Sequence, residues 1–240
     1  MIRFVTETGS TNTDLASELH AGMAVPEGEW LVADRQVSGR GRQGRAWFDG
    51  YGNFMGSTVV HLSPRDPNPA TLALVAGVAA YEAVSGVLAD PSLLKLKWPN
   101  DLLLRNAKLA GILLEREGNA VIVGMGVNLV AAPDLPDRKT IALTNFGPPP
   151  DREIFARSLS YAFDQELDRW RTYGLEPLIR RWESVAHPRG ASLTVNVPGE
   201  QRIEGTFDGL TPEGTLQLRL EDGSTRAIHA GDVMLANEGN

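Results

Sequence analysis

The chain has 240 residues, of which 42% are apolar and 22% charged, enough for a sizeable core and too apolar for wholesale disorder. It contains no cysteine, which excludes disulfides, thiolate nucleophiles, cysteine-ligated zinc and iron–sulfur clusters. Its formal charge of −7 is the wrong sign for a protein whose whole surface grips nucleic acid, so any bound anion must meet a local patch.

In chain order, a strand is expected at 2–6 and a helix opening at Ser10, Thr11, Asn12 and Asp14, where small polar residues precede an apolar periodicity. Gly22 is its natural stop. Strands follow at 30–37 and 54–62, separated by a glycine–arginine loop. The apolar run 70–88 approaches the ~20 residues of a membrane span, but it is rich in Ala and Gly and contains Glu82, so a buried core helix is expected. Short apolar runs at 95–98, 102–105, 109–116 and 120–130, broken by turn residues, read as consecutive antiparallel strands. A helix at 151–173 has Ile154, Phe155, Leu159, Ala162, Phe163, Leu167 and Trp170 at helical spacing, with Gly174 as its cap. A second helix spans 175–185. Four strands are then expected at 192–197, 202–210, 215–220 and 224–229, as in a small barrel or sandwich. A boundary falls near Pro188. The start lacks a basic segment followed by an apolar one, which makes the cytoplasm the default expectation.

The charge is unevenly distributed. There are 23 basic residues but only four are lysines, and three of these are Lys95, Lys97 and Lys108. The windows 34–45 and 95–108 each hold four cations and one anion, inside a chain that is otherwise strongly acidic.

The first window contains Gly39, Gly41 and Gly44 with the spacing of a dinucleotide fingerprint after a strand. No helix pattern follows it and no carboxylate closes a βαβ unit, so that reading fails. The glycines permit close backbone approach, and Arg40, Arg42 and Arg45 supply guanidinium forks for phosphate or carboxylate. In the second window a turn can bring Lys97 and Lys108 together, where compact ammonium groups could reach one oxygen. Gly124 to Asn128 ends a central-looking strand with small residues and an amide. His20, His61, His187 and His229 are scattered without an i, i+4 pair, and neither a serine-nucleophile elbow nor a P-loop is present. Cations converge and no nucleophile does. That pattern suits a reaction whose substrates supply nucleophile and leaving group while the protein positions them and stabilises phosphate charge. Lys108, taken as an exposed cation, is expected to be replaceable without loss of the fold.

Taken together these segments resemble the biotin protein ligases (biotin–[acetyl-CoA-carboxylase] ligases). The likeness rests on Ser10-Thr-Asn12, Gln36, G-R-G-R-Q-G-R from Gly39 with Trp47, K-W-P-N-D-L from Lys97, K-L-A-G-I-L from Lys108 and G-M-G-V-N from Gly124, in the family's order. It implies an α+β, class II aminoacyl-tRNA-synthetase-like catalytic domain at 1–187, with a mixed, mainly antiparallel sheet, and a small SH3-like β-barrel at 188–240. It also implies a two-step reaction, in which biotin and Mg-ATP give biotinyl-5′-AMP and a carrier lysine then takes the biotin.

By the same resemblance, Ser10, Thr11, Asn12 and Gln36 hold the biotin head, with Gly111 and Gly124 allowing close approach. Arg40, Gly41 and Arg42 close over the adenylate, and Lys108 is the main charge stabiliser at the α-phosphate. Lys97, Arg45 and Asn128 face the phosphates or metal, Trp47 faces adenine, and Asn100 and Asp101 belong to the site, Mg²⁺ arriving with ATP and touching Asn128 or Asp101. The implied partner is a biotin carboxyl carrier protein. The chain begins directly before the catalytic segment and is acidic, so no DNA and no membrane partner is expected, with a monomer or a homodimer as the assembly. A lipoate or octanoate ligase of the same fold is the nearest alternative, and a non-catalytic nucleotide or anion sensor is the alternative from another class.

Overall fold

The alternation of apolar runs with turn residues folds as β1 (Ile2–Thr8), α1 (Thr11–His20), β2 (Trp30–Gln36), β3 (Phe54–His61), α2 (Leu72–Ser85), β4 (Leu94–Lys97), β5 (Asp101–Leu104), β6 (Ala107–Glu117) and β7 (Ala120–Val127). Two helices follow, α3 (Arg152–Tyr173) and α4 (Leu175–Ser184), and then β8 (Ser192–Asn196), β9 (Ile203–Leu210), β10 (Leu216–Arg219), β11 (Thr225–Ile228) and β12 (Asp232–Leu235). The structure, a computed structural model, describes residues 1–197, 199 and 201–235.

The first seven strands form one sheet in the order β1-β2-β3-β7-β6-β5-β4. Only β1 and β2 run parallel, so the sheet is mixed and mainly antiparallel, as expected. The two-residue hairpin between β5 and β6 places Arg105 and Asn106 at φ 50° and 62°, the left-handed pair that matches strand twist. β7 stops at Val127, three residues short of the expected strand, where Asn128 turns the chain into the loop beside the site.

Residues paired across neighbouring strands point the same way, so the register sorts the sheet into two faces. Trp30, Val32, Phe54, Val60, Val121, Val123 and Val127 share one face and the main core with α2 and α3. There Trp30 meets the edge of Phe163 at 5.6 Å, and Phe54 meets Phe155 at 5.8 Å. Phe155, Leu159, Phe163, Leu167 and Trp170 are buried at helical spacing along α3, but Ile154 is 65% exposed, because it sits in the first turn beside the Asp151 cap. On the opposite face α1 buries Leu15 against Leu31, Val59 and Ile122. A fully buried leucine contributes roughly 1.5–3 kcal/mol.

The last five strands form an antiparallel sheet with the open order β11-β10-β9-β8-β12. The sequence reading missed β12, a four-residue strand at the end of the described chain. This sheet is tied to the rest of the chain by α4, whose Trp182 packs on Phe207 and whose Glu183 accepts from the Leu210 amide at 2.7 Å, and by the β4–β5 turn, where Trp98 Nε1 donates to the Gly214 carbonyl at 3.3 Å.

Candidate active site

Beside α1 the second sheet face carries Ser57, Gly111, Gly124 and Gly126, which are too small to fill the space above them. Register sets Gly111 opposite Gly126 and Gly124 opposite Ser57. A Cβ on Gly124 would lie 2.2 Å from Asn12 Oδ1, and one on Gly126 would lie 2.2 Å from Trp47 Cε2. The glycines are therefore the floor on which Asn12 and Trp47 rest. Above it opens a cavity of about 520 Å³.

One end of the cavity is lined by uncharged polar side chains, most of them hydrogen-bonded to one another. Ser10 stands at the helix-cap position of α1, but its hydroxyl does not cap the helix. The first free amide of α1, Thr11 N–H, instead donates to Gln36 Oε1 at 2.8 Å. Thr11 Oγ1 lies 2.6 Å from Ser57 Oγ, Ser57 Oγ donates to Asn12 Oδ1 at 2.6 Å, and Asn12 Nδ2 donates to Glu115 Oε2 at 2.6 Å. Ser10, Thr11, Asn12, Gln36 and Ser57 are all buried, so these bonds hold a fixed pattern of donors and acceptors.

The other end is cationic, and a β-bulge builds it. Leu102 pairs with Ala110 while Leu103 pairs with Lys108, so Leu109 is an extra residue in β6. The shift puts Lys108 on the same face as Asp101 and Gly111, which plain alternation would have denied it. Lys108 Nζ donates to Asp101 Oδ1 at 2.6 Å and lies 5.7 Å from the Trp47 ring centre. Lys97 Nζ approaches the other Asp101 oxygen at 3.7 Å. Burial pushes the Asp101 carboxyl up, but Lys108 and Lys97 outweigh it and hold the group below the usual carboxylate range. Lys108 is not the exposed cation expected from sequence: its side chain is 17% exposed and paired with a buried carboxylate.

The arginine loop forms a small hairpin in which Trp47 N–H donates to the Gly39 carbonyl and Gly41 N–H to the Arg45 carbonyl. Its three arginines avoid mutual repulsion by reaching separate partners. Arg40 donates to Thr13 Oγ1, Arg42 to Asn100 Oδ1 at 3.1 Å and the Gly231 carbonyl at 3.3 Å, and Arg45 pairs with Asp232. Asn100 is itself anchored on β6, donating from Nδ2 to the Ile112 carbonyl at 2.7 Å. Asn128 Nδ2 donates to the Ile141 carbonyl, while its Oδ1 is buried without a hydrogen bond. A lone buried amide oxygen suits a hard cation or a ligand hydroxyl.

Every site residue expected from sequence lines this cavity except Lys97, which stands beside Asp101 and outside the lining. Sequence reasoning missed Ser57, Arg138, Asp232 and Glu115. Ser57 lies in a strand whose glycine and hydroxyl residues could have marked it as a close-approach surface. The others gave no local signal, because the chain brings them in from distant segments.

A sequence model described as the biotin/lipoate A/B protein ligase family matches residues 5–129, and one for the biotin protein ligase C-terminal domain matches 194–235. The chain belongs to the biotin/lipoate protein ligase family. Within it, the chain is 35% identical to a biotin–[acetyl-CoA-carboxylase] ligase of Paracoccus denitrificans, over 94% of this chain and 97% of that protein. It is 32% identical to a ligase of the same name from Mycobacterium tuberculosis, over 96% and 87% of the two chains. Among solved structures, biotin protein ligase from Aquifex aeolicus in complex with biotin and ATP superposes with a TM-score of 0.86 at 25% identity, covering 98% of this chain and 99% of that one. No helix among the described residues is long and apolar enough to cross a membrane.

Proposed function

We propose that the chain is a biotin protein ligase, which makes biotinyl-5′-AMP from biotin and ATP and passes the biotin to a lysine of a biotin carboxyl carrier protein. The observation that carries this reading is one cavity with two chemically opposite ends, a neutral hydrogen-bonding cradle at Gln36, Thr11, Ser57 and Asn12 and a cationic wall at Lys108, Arg42 and Arg40. A biotin head fits the first and a carboxylate meeting an α-phosphate fits the second. The names of the ligases from P. denitrificans and M. tuberculosis support the same substrate and the same class of acceptor.

In the first step a biotin carboxylate oxygen attacks the α-phosphorus and pyrophosphate leaves. Lys108 is placed to neutralise the charge that would otherwise keep the two anions apart, and its contact with Asp101 holds the ammonium aimed. A unit charge about 4 Å from an anion is worth roughly 4 kcal/mol at an effective dielectric of ~20, before desolvation. Arg42 and Arg40 close the arginine loop over the product, with Arg42 braced on Asn100. In the second step the carrier amine attacks the acyl carbon, AMP leaves, and the amine's proton passes to solvent.

When bound with ATP, Mg²⁺ would supply charge neutralisation on the leaving phosphates. Asn128 Oδ1, buried and without a hydrogen bond, is the side-chain oxygen that fits it, whereas Asp101 is already committed to two ammonium groups. The fold, the division at residues 187 and 188, and the carrier all follow from this reading. The test is pyrophosphate release with ATP and either biotin or lipoate. Release with biotin alone supports the assignment, release with lipoate alone makes the chain a lipoate ligase, and ligand binding without release makes it a sensor.

A further inference from the structure

Glu115 is the one member of the hydrogen-bonded chain that stands outside the cavity lining. It is a half-buried carboxylate on β6, in a strand otherwise apolar up to that point apart from Lys108, and it touches the site only through Asn12. We propose that Glu115 is a positioning residue that fixes the donor and acceptor polarity of the ligand-head cradle, and so selects a head carrying an N–H beside a carbonyl. This rests on the biotin reading above.

Counting protons along the chain fixes each donor and acceptor. A carboxylate only accepts, so an inverted Asn12 amide would set its oxygen against Glu115 at 2.6 Å, two acceptors with no proton between them. Glu115 therefore holds Nδ2 on itself and Oδ1 on Ser57. Oδ1 has no proton, so the Ser57 hydroxyl proton is committed to Asn12. Ser57 Oγ can then only accept, both from whatever lies in the cavity and from Thr11 Oγ1 at 2.6 Å, whose single proton goes to this closer oxygen rather than to Gln36 Oε1 at 3.1 Å. At the far end Gln36 Oε1 accepts from Thr11 N–H, which leaves Nε2, a pure donor, as the other end of its amide. The cradle thus offers an acceptor at Ser57 and a donor at Gln36, the complement of a cyclic urea. Without the carboxylate, Asn12 is free to invert and Ser57 is free to turn its proton into the cavity, where it would face a ligand N–H.

The test measures biotin affinity by calorimetry without ATP, and the KM for ATP at saturating biotin, in Glu115→Ala, Asn12→Asp, Ser57→Ala, Ser57→Ala with Glu115→Ala, and Asn12→Asp with Glu115→Gln. Leaving a buried donor unpaired is expected to weaken biotin binding about tenfold in Glu115→Ala. The KM for ATP stays within about twofold, as a general loss of structure would not allow. Asn12→Asp alone is expected to be worse, because two carboxylates face each other. Adding Glu115→Gln restores binding to within about threefold of the parent, since the new glutamine amide donates to one oxygen of the new aspartate while Ser57 donates to the other. The Ser57 and Glu115 changes together should cost no more than Ser57→Ala alone, because Glu115 acts through that hydroxyl.

The proposal is overturned if Glu115→Ala binds biotin as the parent does, if Asn12→Asp with Glu115→Gln binds no better than Asn12→Asp alone, or if the Ser57 and Glu115 effects simply add. A parent protein that binds no biotin in the same titration overturns the functional reading itself. That result is distinguishable from a parent that binds while all the variants match it.

Discussion

Replacing Lys108 with Gln tests how the cationic end works, and the structure separates its effects on rate and on stability. Lys97, Asp101 and Lys108 form a cluster with two positive charges and one negative, joined by contacts of 3.7 and 2.6 Å. Lys108→Gln removes one of the positive charges held at this end of the cavity. Losing a unit charge about 4 Å from the reacting phosphate removes up to roughly 4 kcal/mol, or about three powers of ten in rate, less whatever desolvation the ammonium had already suffered. Pyrophosphate release in a single turnover is therefore expected to fall by two to three powers of ten.

Stability should fall as well, by about 2 kcal/mol, because Asp101 is buried and keeps only the longer contact to Lys97. Adding Asp101→Asn removes the unpaired carboxylate, so the double variant should recover most of the stability and none of the rate. A folded Lys108→Gln protein that releases pyrophosphate within tenfold of the parent would refute the charge-stabilising role. A double variant no more stable than Lys108→Gln would refute the account of Asp101.

Gly124→Ala puts a Cβ 2.2 Å from Asn12 Oδ1, so Asn12 must leave its place on the floor; biotin affinity in a titration should drop at least tenfold while the KM for ATP hardly moves. Arg42→Gly cuts the arginine loop from both Asn100 and the Gly231 carbonyl, and the adenylate should dissociate faster in a filter-binding chase than it does from the parent. Burial, and then the charges of Lys97 and Lys95, push the His187 imidazole down to about 4. The unfolded chain, with an ordinary value near 6.5, binds the proton first, so stability falls as pH drops below that value and levels off near 4. Between pH 7.5 and 5 the parent should lose about 2 kcal/mol more than His187→Gln in urea unfolding, and equal losses would contradict the assignment.

The elements were legible where one period dominated over a long run, as in α3, whose buried aromatic and leucine positions fall at helical spacing. The cavity was legible wherever a residue's chemistry was odd for its surroundings, such as arginines between glycines or lysines in an arginine-rich chain. Ile154 was misplaced because an apolar residue in a helix's first turn looks inward by period alone, although the chain there still faces solvent. The extra Leu109 that rotates Lys108 onto the Gly111 face leaves no mark in an apolar strand, since either register keeps apolar residues buried. Asp232 and Glu115 were invisible for a different reason: the first meets Arg45 across 187 positions and the second meets Asn12 across 103. Such pairings come from packing one element against another far along the chain, which no local window contains.

A cavity that activates biotin must also hand it to a carrier lysine. The most direct measurement is the mass of a biotin carrier domain after incubation with this protein, biotin, ATP and Mg²⁺. The account predicts a gain of one biotinyl group on a single lysine, dependent on ATP and abolished by Lys108→Gln. An unchanged carrier mass with the parent protein, under conditions where a known ligase modifies the same carrier, would contradict it.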